Sequence, residues 1–268
     1  ILNVNMNIHA VIVEKLSQKR MMSGMHALWS VGCFAGAGLF SILAKLGLGI
    51  SQIAIIHCII IFMIIFAFSR YFLPYKGASN GKAIAIPKGI VTLFGVLAVI
   101  SFLGEGGMMD WSGVFLTEAK GVDLSLAGVG YAVFSAAMLI GRLIGDKVVQ
   151  KLGEQRVVIF GGIVASVGYI ISIVFDNFFM MQFGFILLGF GAANIVPVVF
   201  TLLGRQKEMP INSAVTAVTS MGYLGVMFGP ALLGFIAHGI GIVAVFCILA
   251  GLFILQAIVS SYVFKVLN

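Results

Sequence analysis

Eight long apolar runs, at 22–46, 51–73, 89–117, 125–148, 157–175, 178–203, 211–237 and 241–264, leave this chain few folds to choose from. Each is long enough to cross a hydrocarbon core, which takes about 20 apolar residues as a helix. A transmembrane barrel would need strands of about ten residues with alternating polarity, and 53–68 carries almost no polar residue at alternate positions. The sequence therefore predicts an all-α membrane protein with about eight transmembrane helices. Composition agrees: 61% of residues are hydrophobic and only 9% charged, where soluble domains carry about 25% charge. Little is left over for a soluble catalytic domain.

The basic residues give the chain a direction. If the 15–20 connection is cytoplasmic and the loops alternate, all but Lys45 and Lys120 of the sixteen Lys and Arg residues fall on the cytoplasmic side. This predicts a multi-pass membrane protein with its central loop in the cytoplasm. The net charge of +7 then reflects topology and attraction to cytoplasmic-leaflet lipid, and nucleic acid need not be invoked. That central loop, 73–88, is rich in Pro, Gly, Ser, Asn and Lys, which is linker chemistry. It separates 1–72 from a six-span segment, 89–268. Residues 1–13 are apolar but too short to cross, and the chain starts at Ile without a signal peptide. They are expected to be the tail of a helix, with earlier helices absent.

The six later spans divide into two groups of three, which must cross the membrane in opposite senses, the inverted-repeat arrangement of secondary transporters. Each group opens with a glycine-rich interruption, Gly104-Glu105-Gly106-Gly107 in one and 189–194 followed by Pro197 in the other. Unwound backbone at membrane depth is tolerated where it faces a ligand or a wet cavity, so both places are candidate sites.

Charge inside a span is costly and points to function. Glu105 is therefore the leading proton- or substrate-binding carboxylate. Asp110, five residues on, is either a second one or a shaper of the outer mouth. Asn194, a carboxamide near Pro197, is expected on the translocation path. Thr216, Thr219, Ser220 and Tyr223 recur at i, i+3, i+4 and i+7, making one hydroxyl stripe that either binds a polar solute or joins helices. His26, Trp29, Ser30 and Cys33 form a similar face in the first full span. His57 and His238 lack ligand-spaced partners, and Cys33, Cys58 and Cys247 stand singly, so neither a metal site nor a disulfide is expected. No phosphate-binding loop, Ser/His/Asp set or His-Glu-x-x-His motif is present, which argues against an ATP-driven pump or an enzyme.

The six spans after a basic central loop, with 141–147 reading Gly-Arg-Leu-Ile-Gly-Asp-Lys and 151–156 reading Lys-Leu-Gly-Glu-Gln-Arg, resemble the major facilitator superfamily. Within it, 105–116, 194–197 and 222–230 resemble an uncharacterised bacterial inner-membrane branch near the fucose-permease-like transporters. The resemblance covers essentially the whole chain as spans five to twelve of twelve. It implies that 1–72 is the remnant of an N-terminal bundle, comprising the end of span four and spans five and six, and that 89–268 is the complete C-terminal bundle. It also implies a place in the plasma membrane, in bacteria the inner membrane, and a cytoplasmic gating motif at Arg142, Asp146, Lys151, Gly153 and Arg156. Gln150 stands where the family motif has an acid, so an Arg142–Asp146 pair one turn apart is the candidate charge latch, its rival being a simple cap on the helix end. The expected function is secondary active transport of a small solute by alternating access, coupled to protons and without a cofactor. The alternative is an inactive remnant, or a structural membrane subunit that needs the absent helices or another chain as partner.

Overall fold

A computed structural model describes residues 2–71 and 85–267, so the 73–84 part of the expected linker lies outside the described residues. The described chain is helical. Helices α1 (Leu2–Ser17), α2 (Met22–Lys45) and α3 (Ile50–Phe68) precede the central connection. After it come α4 (Ile90–Val114), α5 (Val129–Leu152), α6 (Glu154–Val174), α7 (Phe178–Ala192), α8 (Ile195–Leu203), α9 (Ile211–Ile240) and α10 (Ile242–Leu267). Seven helical segments among the described residues are long and apolar enough to cross a membrane, with α7 and α8 counted as one. The remaining expected span coincides with α2, whose 24 residues extend about 36 Å at 1.5 Å per residue.

Sequence sets the boundaries locally. Gly153 and Gly241 adopt φ of 84° and 90°, a region closed to most side chains, and so end α5 and α9 with sharp reversals into α6 and α10. Asn177 caps α7 by accepting from the amides of Phe179 and Met180. At the far end of α4 the helix loosens into a π-turn over Phe115–Ala119. With that turn the α4 segment reaches 30 residues, or about 45 Å, more than a perpendicular crossing needs.

Lipid offers no hydrophobic driving force between helices, so their association depends on close packing. α6 and α7 meet through Gly161, Gly168, Gly184 and Gly191, where an added Cβ would stand 2.5–2.6 Å from an opposing glycine carbonyl oxygen. A ring cluster joins α4, α6 and α10: Phe115 stacks on Phe246 at 4.0 Å, and Tyr169 meets Phe246 edge-on at 5.4 Å. The Tyr169 hydroxyl satisfies itself by donating to the Gly104 carbonyl at 3.1 Å. α4 lies against α9 and α10, while α2 lies against α5 and α8 and brings the early helices onto the six-span segment. α3 stays largely exposed, with Ile53 its buried residue.

One expected interruption is absent. α4 runs unbroken through Gly104-Glu105-Gly106-Gly107, because the glycines are used for side-on contact. A Cβ on Gly104 would come 2.5 Å from the Phe253 ring, and one on Gly107 would come 2.7 Å from Leu249. The other interruption is present: helix stops at Ala192 and resumes at Ile195.

Candidate functional site

Glu105 on α4 and Arg142 on α5 face each other across the helix interface. Arg142 is 4% exposed and spends its donors on three elements. Its Nη2 donates to Glu105 Oε2 at 3.2 Å, its Nη1 to Ser30 Oγ of α2 at 3.2 Å, and its Nε to the Ala193 carbonyl at 3.3 Å. That carbonyl belongs to the gap between α7 and α8, so the guanidinium satisfies backbone that the interruption leaves without a helical partner. A single cation thus ties α2, α4, α5 and the α7–α8 break together.

The glycines of the Gly-Arg-Leu-Ile-Gly-Asp run make this approach possible. A Cβ on Gly141 would stand 2.8 Å from Ala193 Cβ. One on Gly145 would overlap Asn194 Oδ1 and stand 2.8 Å from Ser23 Cβ. Asn194 is buried and donates to the Gly141 carbonyl at 3.0 Å, while its Oδ1 has no hydrogen-bond partner among the described residues.

The Glu105 carboxylate, with a side chain 32% exposed, opens onto a cavity of about 300 Å³ walled by Trp29, Ser30, Phe34, Tyr131, Phe134 and Ser135. A larger hollow of about 810 Å³ lies between α1, α2 and α3, but Asn5 and His9 are the most polar groups lining it. The smaller cavity reaches the charged pair and is the better candidate site.

Below this layer, at the end of the bundle carrying the α5–α6 turn, a set of carboxylates holds the loops. Asp146 accepts from the backbone amides of Ser23 and Gly24 at 3.0 and 2.9 Å, capping α2 from α5. Glu14 accepts from the amides of Met21 and Met22 with one oxygen and from the Thr201 hydroxyl with the other. Glu154 pairs with both Arg20 and Arg205, and Glu208 accepts from the Ile90 amide at 3.0 Å. These contacts join α1 and α2 to α5, α6 and α8. At the opposite end Lys120 pairs with Asp176 at 2.7 Å and donates to the Ile173 carbonyl.

The structure therefore sorts the expected site residues. Glu105 is in the pair, and Asn194 sits in the helix break beside it. The Arg142–Asp146 pair does not form: the guanidinium is consumed by Glu105, Ser30 and Ala193, and the carboxylate by the α2 amides. Gly153 makes the α5–α6 reversal, while Lys151 and Arg156 are exposed and outside the ion pairs observed among the described residues. Asp110 is exposed on α4. The α9 stripe divides, with Thr219 buried, Thr216 intermediate, and Ser220 and Tyr223 exposed; no hydrogen bond links the four to the pair among the described residues. Ser30, Glu14, Glu154 and Glu208 acquire roles that spacing could not show, because each partner lies on a distant segment. No group of three or more His, Cys, Asp or Glu side chains placed to hold a metal occurs among the described residues.

Comparison with known proteins places this architecture. The family model described as Major Facilitator Superfamily matches residues 94–267. An uncharacterised MFS-type transporter of Yersinia pestis is 45% identical over 241 residues, covering 89% of this chain and 62% of its own length. The membrane protein MosC of Rhizobium meliloti is 26% identical over 90% of this chain and 59% of its own length. The chain thus spans about three-fifths of the length of these relatives. Among solved structures, the human organic anion transporter MFSD10 shares the fold, with a TM-score of 0.56 at 19% identity over 65% of this chain and 42% of its own. With its helical bundle, its inter-helix contacts and a family match across most of its length, the chain belongs to the major facilitator superfamily.

Proposed function

We propose that this chain moves a small solute by proton-coupled alternating access, as a secondary active transporter of the plasma membrane. One observation carries the reading: a buried arginine is neutralised by a carboxylate that is itself open to a cavity, where α2 of the early helices meets α4 and α5 of the six-span segment. The Glu105 carboxylate balances the charge of Arg142. Protonating Glu105 removes the charge–charge attraction, leaves Arg142 without its counter-charge, and changes which arrangement of the helices costs least.

The carboxylate contacts at the α5–α6 end supply the second half of the cycle. Asp146, Glu14 and Glu154 hold the early helices to the six-span segment, so opening that end requires their release. We assign this end to the cytoplasm, on the strength of the basic loops gathered there. Three spans in α4–α6 and three in α7–α10 support an inverted repeat within 89–268, with 73–88 as the cytoplasmic linker.

The test uses full-length protein in liposomes. Glu105→Gln keeps shape and hydrogen bonding but cannot titrate. It should abolish accumulation driven by a proton gradient while sparing solute counterflow, which needs no net proton movement. Accumulation at the wild-type level with unchanged pH dependence would remove Glu105 from the coupling.

A further inference from the structure

Resting on that reading of Glu105, we infer that the solute is a small carboxylate, and that its anionic head replaces the Glu105 carboxylate on Arg142 when Glu105 takes up a proton. A guanidinium is a permanent cation in proteins, and Arg142 must be balanced where it stands. At 4% exposure it cannot borrow water to spread its charge. Its Nε and Nη1 donate to neutral acceptors, the Ala193 carbonyl and the Ser30 hydroxyl, so Glu105 supplies its counter-charge. A neutral Glu105 would leave a buried cation without a partner, which is strongly disfavoured. The vacancy has a defined chemistry. It is the place of one carboxylate, reached from the cavity that Glu105 lines, and the planar guanidinium fork matches a carboxylate in geometry and charge.

Other solute classes fit less well. A cation would have to separate Glu105 from Arg142 and leave two positive groups together. A neutral polyol would leave the pair intact and gain nothing from it. A monocarboxylate entering with one proton keeps the site neutral when empty and when loaded, whereas a proton alone leaves it charged. That difference is what ties proton to solute. The cavity walls suit the rest of such a molecule: Trp29, Phe34, Tyr131 and Phe134 are aromatic, with Ser135 for a polar substituent, and about 300 Å³ is at the small end of ligand pockets.

The ionisable groups around the pair do not replace Glu105. His26 of α2 lies against Phe200, within the field of Arg142. Tyr131 of α5 is in the cavity wall, Tyr223 of α9 lies near the Phe102 ring, and Asp110 is exposed further along α4. None of these four accepts a hydrogen bond from Arg142 among the described residues.

The experiment titrates the full chain in lipid nanodiscs, following the fluorescence of Trp29 in a Trp111→Phe background, these being its two tryptophans. The probes are acetate and benzoate, each against its own amide. At least one carboxylate should quench saturably and bind about tenfold or more tighter than its amide, and more tightly at acidic than at mildly alkaline pH. Glu105→Gln should bind that carboxylate at alkaline pH as the parent does at acidic pH, with the pH dependence gone. Arg142→Gln should lose the preference for carboxylate over amide, and Arg142→Lys should recover part of it. A panel in which no carboxylate outbinds its amide overturns the inference without any recourse to a folded Arg142 variant. Carboxylate preference without pH dependence overturns the proton reading of Glu105 and leaves the substrate class standing.

Discussion

Arg142 Nη2 and Glu105 Oε2 stand 3.2 Å apart, and the same guanidinium reaches the Ala193 carbonyl in the break between α7 and α8. An ion pair in lipid needs further hydrogen bonds to offset its desolvation, since stripping water from both ions costs several kcal/mol each. Here the arrangement uses a helix interruption as part of the solvation. The break exposes a carbonyl, the arginine fills it, and the carboxylate that balances the arginine faces the cavity.

Removing one partner should therefore cost more than removing both. Glu105→Ala leaves Arg142 charged and buried; because Glu105 is about a third exposed, the expected loss is about 1–3 kcal/mol, below the 3–5 typical of a fully buried pair. The double variant Glu105→Leu with Arg142→Met should recover most of that loss. Thermal unfolding of the purified variants in one detergent checks the order, and a double variant less stable than either single one contradicts it.

Glycines on the two helices that carry the pair, Gly145 of α5 and Gly106 of α4, should respond in opposite directions. Gly145→Ala forces a methyl into Asn194, which is held by the Gly141 carbonyl and cannot swing aside, and crowds Ser23 on α2. Overpacking of this kind costs about 1–3 kcal/mol. Gly106 has nothing within 4 Å of an added Cβ, so Gly106→Ala should be neutral or stabilise α4 by up to about 1 kcal/mol through helix propensity. Melting temperatures of the two variants separate a contact glycine from an idle one.

Much of the fold was legible because lipid imposes one rule, that long apolar runs become helices. The α7–α8 interruption was legible too, since Gly189 to Asn194 and then Pro197 combine several helix-weakening residues. The same logic failed at Gly104–Gly107. Gly104 and Gly107 there serve a neighbouring ring and side chain, while a Cβ on Gly106 would meet nothing, and their identity alone does not distinguish a break from a contact. Glu105 could be found from its cost. Its partner could not, because Arg142 sits in a motif whose spacing suggests Asp146, and the choice between the two carboxylates depends on which faces of α4 and α2 lie against α5. The hydroxyl stripe on α9 is a correct periodicity, but burial divides it between packing and exposed positions.

Membrane sidedness can be tested on residues that the structure places at opposite ends. Lys207 lies in the loop with Arg205 and Glu208, and Asp123 lies between α4 and α5 beyond the π-turn. In a background lacking Cys33, Cys58 and Cys247, a cysteine at 207 should label only after the cytoplasmic face is opened, and one at 123 in intact cells. Equal labelling of both in intact cells contradicts the assignment.

The capping of α2 by Asp146 gives the last prediction. Its carboxylate accepts from two α2 amides, those of Ser23 and Gly24, and is carried by a different helix. It therefore caps and fastens at once, with a favourable charge at the positive end of the α2 dipole. Asp146→Ala removes both functions. Loss of the cap should cost about 0.5–2 kcal/mol, and the fastening should loosen between α2 and α5 while Glu154 still holds Arg20 and Arg205. The consequence is local: Ser23 is 2% exposed, so a cysteine substituted there should react slowly with a maleimide in the parent and several-fold faster in the Asp146→Ala variant. Asp146→Asn retains an acceptor but loses the charge, and should fall between the two. If the alkylation rate is the same in all three, Asp146 does not hold this end closed, and the Glu154 pairs with Arg20 and Arg205 must do so without it.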